Sequence, residues 1–118
     1  MSEENGLIQL DNELLNTYVE SLGSHTVKKM FDLYSQQVAI YLKDIENSLL
    51  CGSDKLWQEH CHKMKGAAGS VGLTALHSRL VLMEKTKANN SDKANQLAKL
   101  NEHNQQAMVD FKHWLESL

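Results

Sequence analysis

The sequence predicts an all-helical chain, and three observations carry that reading. No proline occurs in its 118 residues. Leucine is abundant while valine, isoleucine and threonine together are few, the balance helices favour over strands. Apolar residues also recur at spacings of three and four in five successive segments, separated by short polar or glycine breaks. Such short connections make consecutive helices antiparallel neighbours. The expected architecture is therefore an antiparallel up-and-down four-helix bundle with a short extra helix at the N-terminus. The length suits one domain around a single core; residues 1–9 read as a flexible N-terminal segment and residues 10–118 as the domain.

Each helix has its own signals. Asp11 is placed to cap the first, whose apolar residues are Leu14, Leu15, Tyr18, Val19 and Leu22, and Gly23 stops it. The second starts near Ser24 to Thr26 and carries a long stripe from Val27 through Tyr34, Val38 and Ile45 to Leu49, ending at Cys51-Gly52. Ser53 caps the third, which runs to about Val71 and stops at Gly72. Thr74 is expected to cap the fourth, with Leu76, Leu80 and Met83 facing inward. Asn89-Asn90-Ser91 breaks the chain. The fifth helix is expected from near Asp92, using Leu97, Leu100, Ala107, Met108, Phe111, Trp114 and Leu115.

Composition excludes several function classes. A net charge of −3 argues against a nucleic-acid binder, which would show a strongly basic stripe. No apolar run approaches the roughly 18 residues that span a bilayer, and the acidic, polar start Met1-Ser2-Glu3-Glu4-Asn5-Gly6 is unlike a secretory signal. Two cysteines, Cys51 and Cys61, are too few for a disulfide framework and fit reduced thiols in a cytoplasmic setting.

The chemistry concentrates in the third helix. At about 100° per residue, Trp57, Cys61, Met64, Ala68 and Val71 share one side, a core stripe. His62 projects from the other side. Lys65, Gly66 and Gly69 follow it at i+3, i+4 and i+7 and share its face, which Gln58 and Lys55 extend toward the N-terminus. Each mid-helix glycine costs about 1 kcal/mol relative to alanine. Two of them on an exposed face break a local rule without a packing return, the mark of a functional surface. Absent side chains would let a partner approach His62 closely. An exposed imidazole is a nucleophile near neutral pH, and an ammonium one turn away could offset the charge of a phosphoryl group.

The run His62-Lys63-Met64-Lys65-Gly66-Ala67-Ala68-Gly69-Ser70-Val71-Gly72-Leu73 resembles the histidine-containing phosphotransfer domains of bacterial phosphorelays: histidine, two residues, lysine-glycine, then small residues and a second glycine. The match continues through Leu76, Leu80 and Met83-Glu84 and looks most like the C-terminal domains of tripartite hybrid sensor kinases. The resemblance implies that His62 accepts the phosphoryl group through Nε2, that Lys65 stabilises the phosphate, and that Glu84 orients the imidazole through Nδ1, where the family often has glutamine. It implies transfer between aspartates of response-regulator receiver domains, with no ATP-dependent kinase activity in the chain itself. No cofactor is implied here; the magnesium such transfers use would sit in the receiver. A basic collar of Lys55, Lys63, Lys65 and Arg79 would steer an acidic receiver face, with Gln58, Glu59, Gly66, Gly69 and Leu73 completing the docking surface. An attached sensor kinase is a further implied partner, and the domain is expected to be a cytoplasmic monomer without nucleic-acid or direct membrane contact.

Two other readings compete. A scaffold with the same fold could dock receivers with His62 inert. A metal-binding bundle is suggested by Glu59-x-x-His62, yet a di-iron site needs a second Glu-x-x-His and further inward carboxylates, and no second copy occurs. His25, His77, His103 and His113 read as ordinary, His77 lying on the helix that faces the site.

Overall fold

The computed structural model describes residues 10–118, which form five helices: α1 Asn12–Leu22, α2 Ser24–Leu50, α3 Asp54–Ser70, α4 Thr74–Lys85 and α5 Asn90–Glu116. The segment read as flexible, residues 1–9, lies outside the described residues. Strands are absent among the described residues. At a rise of about 1.5 Å per residue, α2 and α5, 27 residues each, account for the 43 Å long dimension. Each of α2 to α5 packs against two of the others: α2 on α3 and α5, and α4 on α3 and α5. α1 packs on α2.

The helix ends follow from side chains and turns. Asp11 accepts a hydrogen bond from the Leu14 backbone N–H at 3.0 Å, and Ser53 accepts one from Leu56 at 3.1 Å; each satisfies a donor that the first helical turn leaves unpaired. The fifth helix begins two residues earlier than expected, at Asn90. Asn89 is a cap rather than a breaker, its side chain accepting from Asp92 N–H at 2.9 Å.

The α3–α4 turn departs from expectation more instructively. Gly72 takes φ +74°, a left-handed conformation that suits glycine, and Leu73 N–H bonds back to Ala68 C=O at 2.9 Å. This is the Schellman closure, in which the residue after the glycine tucks its side chain against the helix it has just left. Leu73 is accordingly fully buried, takes the cap position of α4 without a side-chain bond, and leaves Thr74 as the first helical residue rather than the cap. α1 presses on the same turn. Asp11 N–H donates to Gly72 C=O at 2.7 Å, Tyr18 Oη donates to Ser70 C=O at 2.9 Å, and a Cβ on Gly72 would lie 3.2 Å from Leu15.

The core contains the expected stripe of α3, with Trp57, Cys61, Met64 and Ala68 buried alongside Leu76, Leu80 and Met83 of α4 and Leu97, Leu100, Ala107 and Phe111 of α5. Burying each large side chain stabilises the fold by about 1.5–3 kcal/mol. Trp57 does more than fill space. Its indole Nε1 donates to Met83 C=O at 2.8 Å, satisfying a carbonyl in the last turn of α4 and fixing that turn against α3. Lys93 is 3 % exposed, its ammonium on the Asp54 carboxylate and 5.2 Å from the Trp57 ring centroid. That cation ties the start of α5 to the start of α3.

Candidate functional site

His62 occupies the middle of α3, its side chain 66 % exposed. Its neighbours on the helix point elsewhere. His60 turns toward α2, with Nδ1 3.9 Å from Asp44 Oδ2, and Cys61 is wholly inside. These three adjacent residues thus face α2, the core and α4. Among the described residues no group of three histidine, cysteine, aspartate or glutamate side chains is arranged to hold a metal ion.

Trp57 fixes the last turn of α4, and that turn brings Glu84 to His62. Glu84 Oε2 lies 3.1 Å from His62 Nδ1, and Glu84 Oε1 lies 2.7 Å from Lys65 Nζ. One carboxylate therefore serves both an imidazole and an ammonium that are one helical turn apart. An ionised carboxylate only accepts, so this geometry calls for the ring proton on Nδ1 and leaves the Nε2 lone pair directed away from Glu84. Glu84 is in the final turn of α4, where the helix dipole disfavours a negative charge. Its two partners override that effect: the Lys65 ammonium and, secondarily, the His62 bond hold the carboxyl below the usual glutamate range against the opposing effect of burial.

Gly66 leaves His62 bare on its C-terminal side, for a Cβ there would meet nothing within 4 Å. Lys63 and Glu59 are exposed beside it. Toward the start of α3, Lys55 and Gln58 line a cleft of about 200 Å³ with Glu84, Thr86 and Lys87.

Two residues expected on the docking surface stand elsewhere, and a third is covered. Leu73 is in the core, for the Schellman reason given above. Arg79 is not part of a collar around His62. It lies on the side of α4 that meets α5, where its Nε donates to His103 Nδ1 at 3.0 Å, and burial followed by the Arg79 charge pushes the His103 imidazole down. Gly69 shares the face of His62 but is not open: an added Cβ would lie 3.0 Å from His77 Cδ2. Its missing side chain makes room for a ring from α4, a packing return that sequence periodicity on α3 alone does not show. Sequence reasoning read His77 as ordinary, on the helix that faces the site, and passed over Lys87. The seven-residue spacing from His77 to Glu84 is the signal that places His77 on the α4 face turned toward the site.

Comparison with known proteins places the fold and the family. The family described as Hpt domain matches residues 29–117. The aerobic respiration control sensor protein ArcB of Escherichia coli strain K12 is 34 % identical over 77 residues, 64 % of this chain and 10 % of that protein, and ArcB of Shigella flexneri matches equally. The chain thus spans about a tenth of the length of the curated relatives it matches. Among solved structures, the histidine-containing phosphotransfer domain of ArcB from Escherichia coli superposes with a TM-score of 0.82 at 24 % identity, covering 92 % of this chain and 94 % of that one. Its solution structure gives 0.82 at 25 % identity, covering 98 % and 96 %.

Proposed function

The chain belongs to the Hpt domain family, the phosphotransfer domains of two-component phosphorelays, and from that membership we propose that His62 is its phosphoacceptor. The observation that carries this reading is the exposed imidazole whose Nδ1 is engaged by Glu84 while Gly66 leaves the approach to the ring uncovered.

In this reading a receiver domain carrying an aspartyl phosphate docks over the face. The Nε2 lone pair attacks phosphorus, the P–O bond to the aspartate breaks, and the aspartate carboxylate leaves. The ring becomes an Nδ1-protonated phosphoimidazolium whose positive charge faces the Glu84 carboxylate. Transfer onward reverses these steps at a second receiver. Little covalent work is left to the protein, so positioning and charge compensation dominate. Glu84 fixes the ring, and Lys65, held one turn from His62, brings a positive charge near the transferring group. The divalent metal belongs to the receiver's acidic pocket. Lys55 and Lys63 favour an acidic receiver face.

The same reading takes α2 to α5 as an antiparallel up-and-down four-helix bundle with α1 as the extra helix, supported by the pairwise packing and the short turns. It places the domain in the cytoplasm as a monomer, in company with a sensor kinase; no helix among the described residues is long and apolar enough to cross a membrane.

The test is transfer from a receiver loaded with radiolabelled acetyl phosphate. Acid-labile, base-stable label should appear on this chain and vanish completely in His62→Gln. Label that survives in the variant moves the site elsewhere, and receiver binding with no label on the wild-type chain makes this a scaffold.

A further inference from the structure

The surface beside His62 has two rungs. In the first, His62 of α3 meets Glu84 of α4. In the second, Gly69 of α3 receives the His77 ring of α4, whose Cδ2 and Nε2 lie 3.0 and 3.6 Å from where a Gly69 Cβ would be. His62 and Gly69 are seven residues apart on α3, and His77 and Glu84 are seven apart on α4. Seven residues are two turns, so both rungs emerge on the same side of the helix pair, about 10 Å apart. Between them lies Gly66, with open space above it.

His77 is half-buried on this face, and among the described residues neither ring nitrogen has a protein partner. A free surface histidine samples many rotamers, whereas this ring is seated in a notch that only glycine provides. An ordered imidazole with unused nitrogens is a pre-organised contact, because little rotamer entropy remains to be lost when a partner engages it. The notch also has a price in local helix stability, since glycine is the poorest helix former after proline.

We propose that His77 is a second receiver-contact residue, seated by Gly69 about 10 Å from His62, and that it helps determine which receivers dock productively. This rests on the phosphotransfer reading of His62. A receiver that bridges the open ground above Gly66 meets both imidazoles: His62 at its phosphorylated aspartate, and His77 through a hydrogen-bonding group nearer its rim. His77 touches no reacting atom, so it affects docking and leaves the phosphoryl step alone.

The experiment separates those two stages. The probe is the receiver domain that, loaded with acetyl phosphate, phosphorylates the wild-type chain fastest in a pairwise panel. Phosphoramidate, a small donor that needs no docking surface, reports the reactivity of His62 by itself. His77→Phe keeps a ring on Gly69 and removes the nitrogens. It should raise KM for the receiver about three- to tenfold, the worth of one interfacial hydrogen bond, with kcat and phosphoramidate labelling unchanged. His77→Gln, which restores a donor and acceptor, should recover part of the loss. Gly69→Ala, which crowds the ring without altering it, should shift KM in the same direction as His77→Phe. An unchanged KM in both His77→Phe and Gly69→Ala overturns the proposal, as does a loss that extends equally to phosphoramidate labelling. A wild-type chain that phosphoramidate does not label at all sinks the underlying phosphotransfer reading instead.

Discussion

Cys61 and His62 are adjacent in the chain and opposite in circumstance. The cysteine has no exposed surface, and burial, then the nearby Glu84 charge, pushes its thiol up to about 12. The histidine is two-thirds exposed and bonded to that same glutamate. One step of about 100° around a helix separates an inert thiol from the imidazole proposed as phosphoacceptor. Helix phase rather than residue type decides which of the two a partner can reach, although thiolates are ordinarily the better nucleophiles. Glu84 acts on both residues in opposite senses: it disfavours a second negative charge at Cys61 and accommodates positive charge on the His62 ring.

If that contrast depends on Glu84, removing its charge should give the largest loss short of removing His62. Glu84→Ala discards a charge-assisted hydrogen bond of about 1.5–3 kcal/mol, equivalent to roughly 10–100-fold slower transfer from a phosphorylated receiver. Glu84→Gln keeps an acceptor without the charge and should lose about half as much on a logarithmic scale. The pH dependence of stability has a defined sign. Lys65 and His62 hold the Glu84 carboxyl below its ordinary value, so the carboxylate's contribution is complete above the normal glutamate range. It should fade as pH falls below about 4.3 and through the folded-state value. The difference in unfolding midpoint between wild type and Glu84→Gln should stay level from about pH 7 to 5 and shrink below that. A gap that shrinks already near neutrality would implicate some group other than this carboxylate.

The contrast between Cys61 and His62 was fully legible in the sequence, because helical periodicity is a local property of α3. So were the caps at Asp11 and Ser53 and the buried faces of α3 and α4. What stayed hidden depended on two elements at once. Leu73 looks like an exposed turn residue until the left-handed Gly72 draws it under α3. Gly69 looks like open ground until His77 arrives from α4. Arg79 counts toward a basic collar only while its direction on α4 is undetermined; His103 of α5 holds it on the other side. Lys93, on which sequence spacing is silent, lies buried because the aromatic face of Trp57 and the Asp54 carboxylate receive it. Periodicity gives the face of each helix, and only docking the helices says which faces meet.

A thiol count sharpens the comparison at the core side. Cys51 is exposed and Cys61 buried, so a thiol reagent such as Ellman's should titrate one thiol in the native protein and a second only on unfolding. Cys61→Ser should then destabilise the fold by about 1–3 kcal/mol, because a hydroxyl there gains polarity without a partner. The variant should still accept label at His62. Rapid modification of both thiols under native conditions would mean that the core face of α3 opens far more readily than its packing implies.

The smallest effect probes the exposed side with one methyl group. Gly66 and Gly69 are both helical and one turn apart, yet their surroundings differ. A Cβ at position 66 meets nothing within 4 Å, whereas at position 69 it meets the His77 ring at 3.0 Å. Gly66→Ala should therefore collect the full helix-propensity gain of about 0.5–1 kcal/mol, read as a higher urea midpoint with unchanged slope. Gly69→Ala should gain less, since the ring must give way by some tenths of an ångström against the same propensity term. Transfer separates the two roles of bareness at position 66. Alanine is short enough to leave the approach to His62 open, while Gly66→Leu, whose Cβ likewise meets nothing within 4 Å, should keep the fold and slow phosphorylation by a receiver. Equal midpoints for the two alanine variants would show that the His77 ring yields freely, and that the notch under it is a looser seat than the 3.0 Å approach indicates.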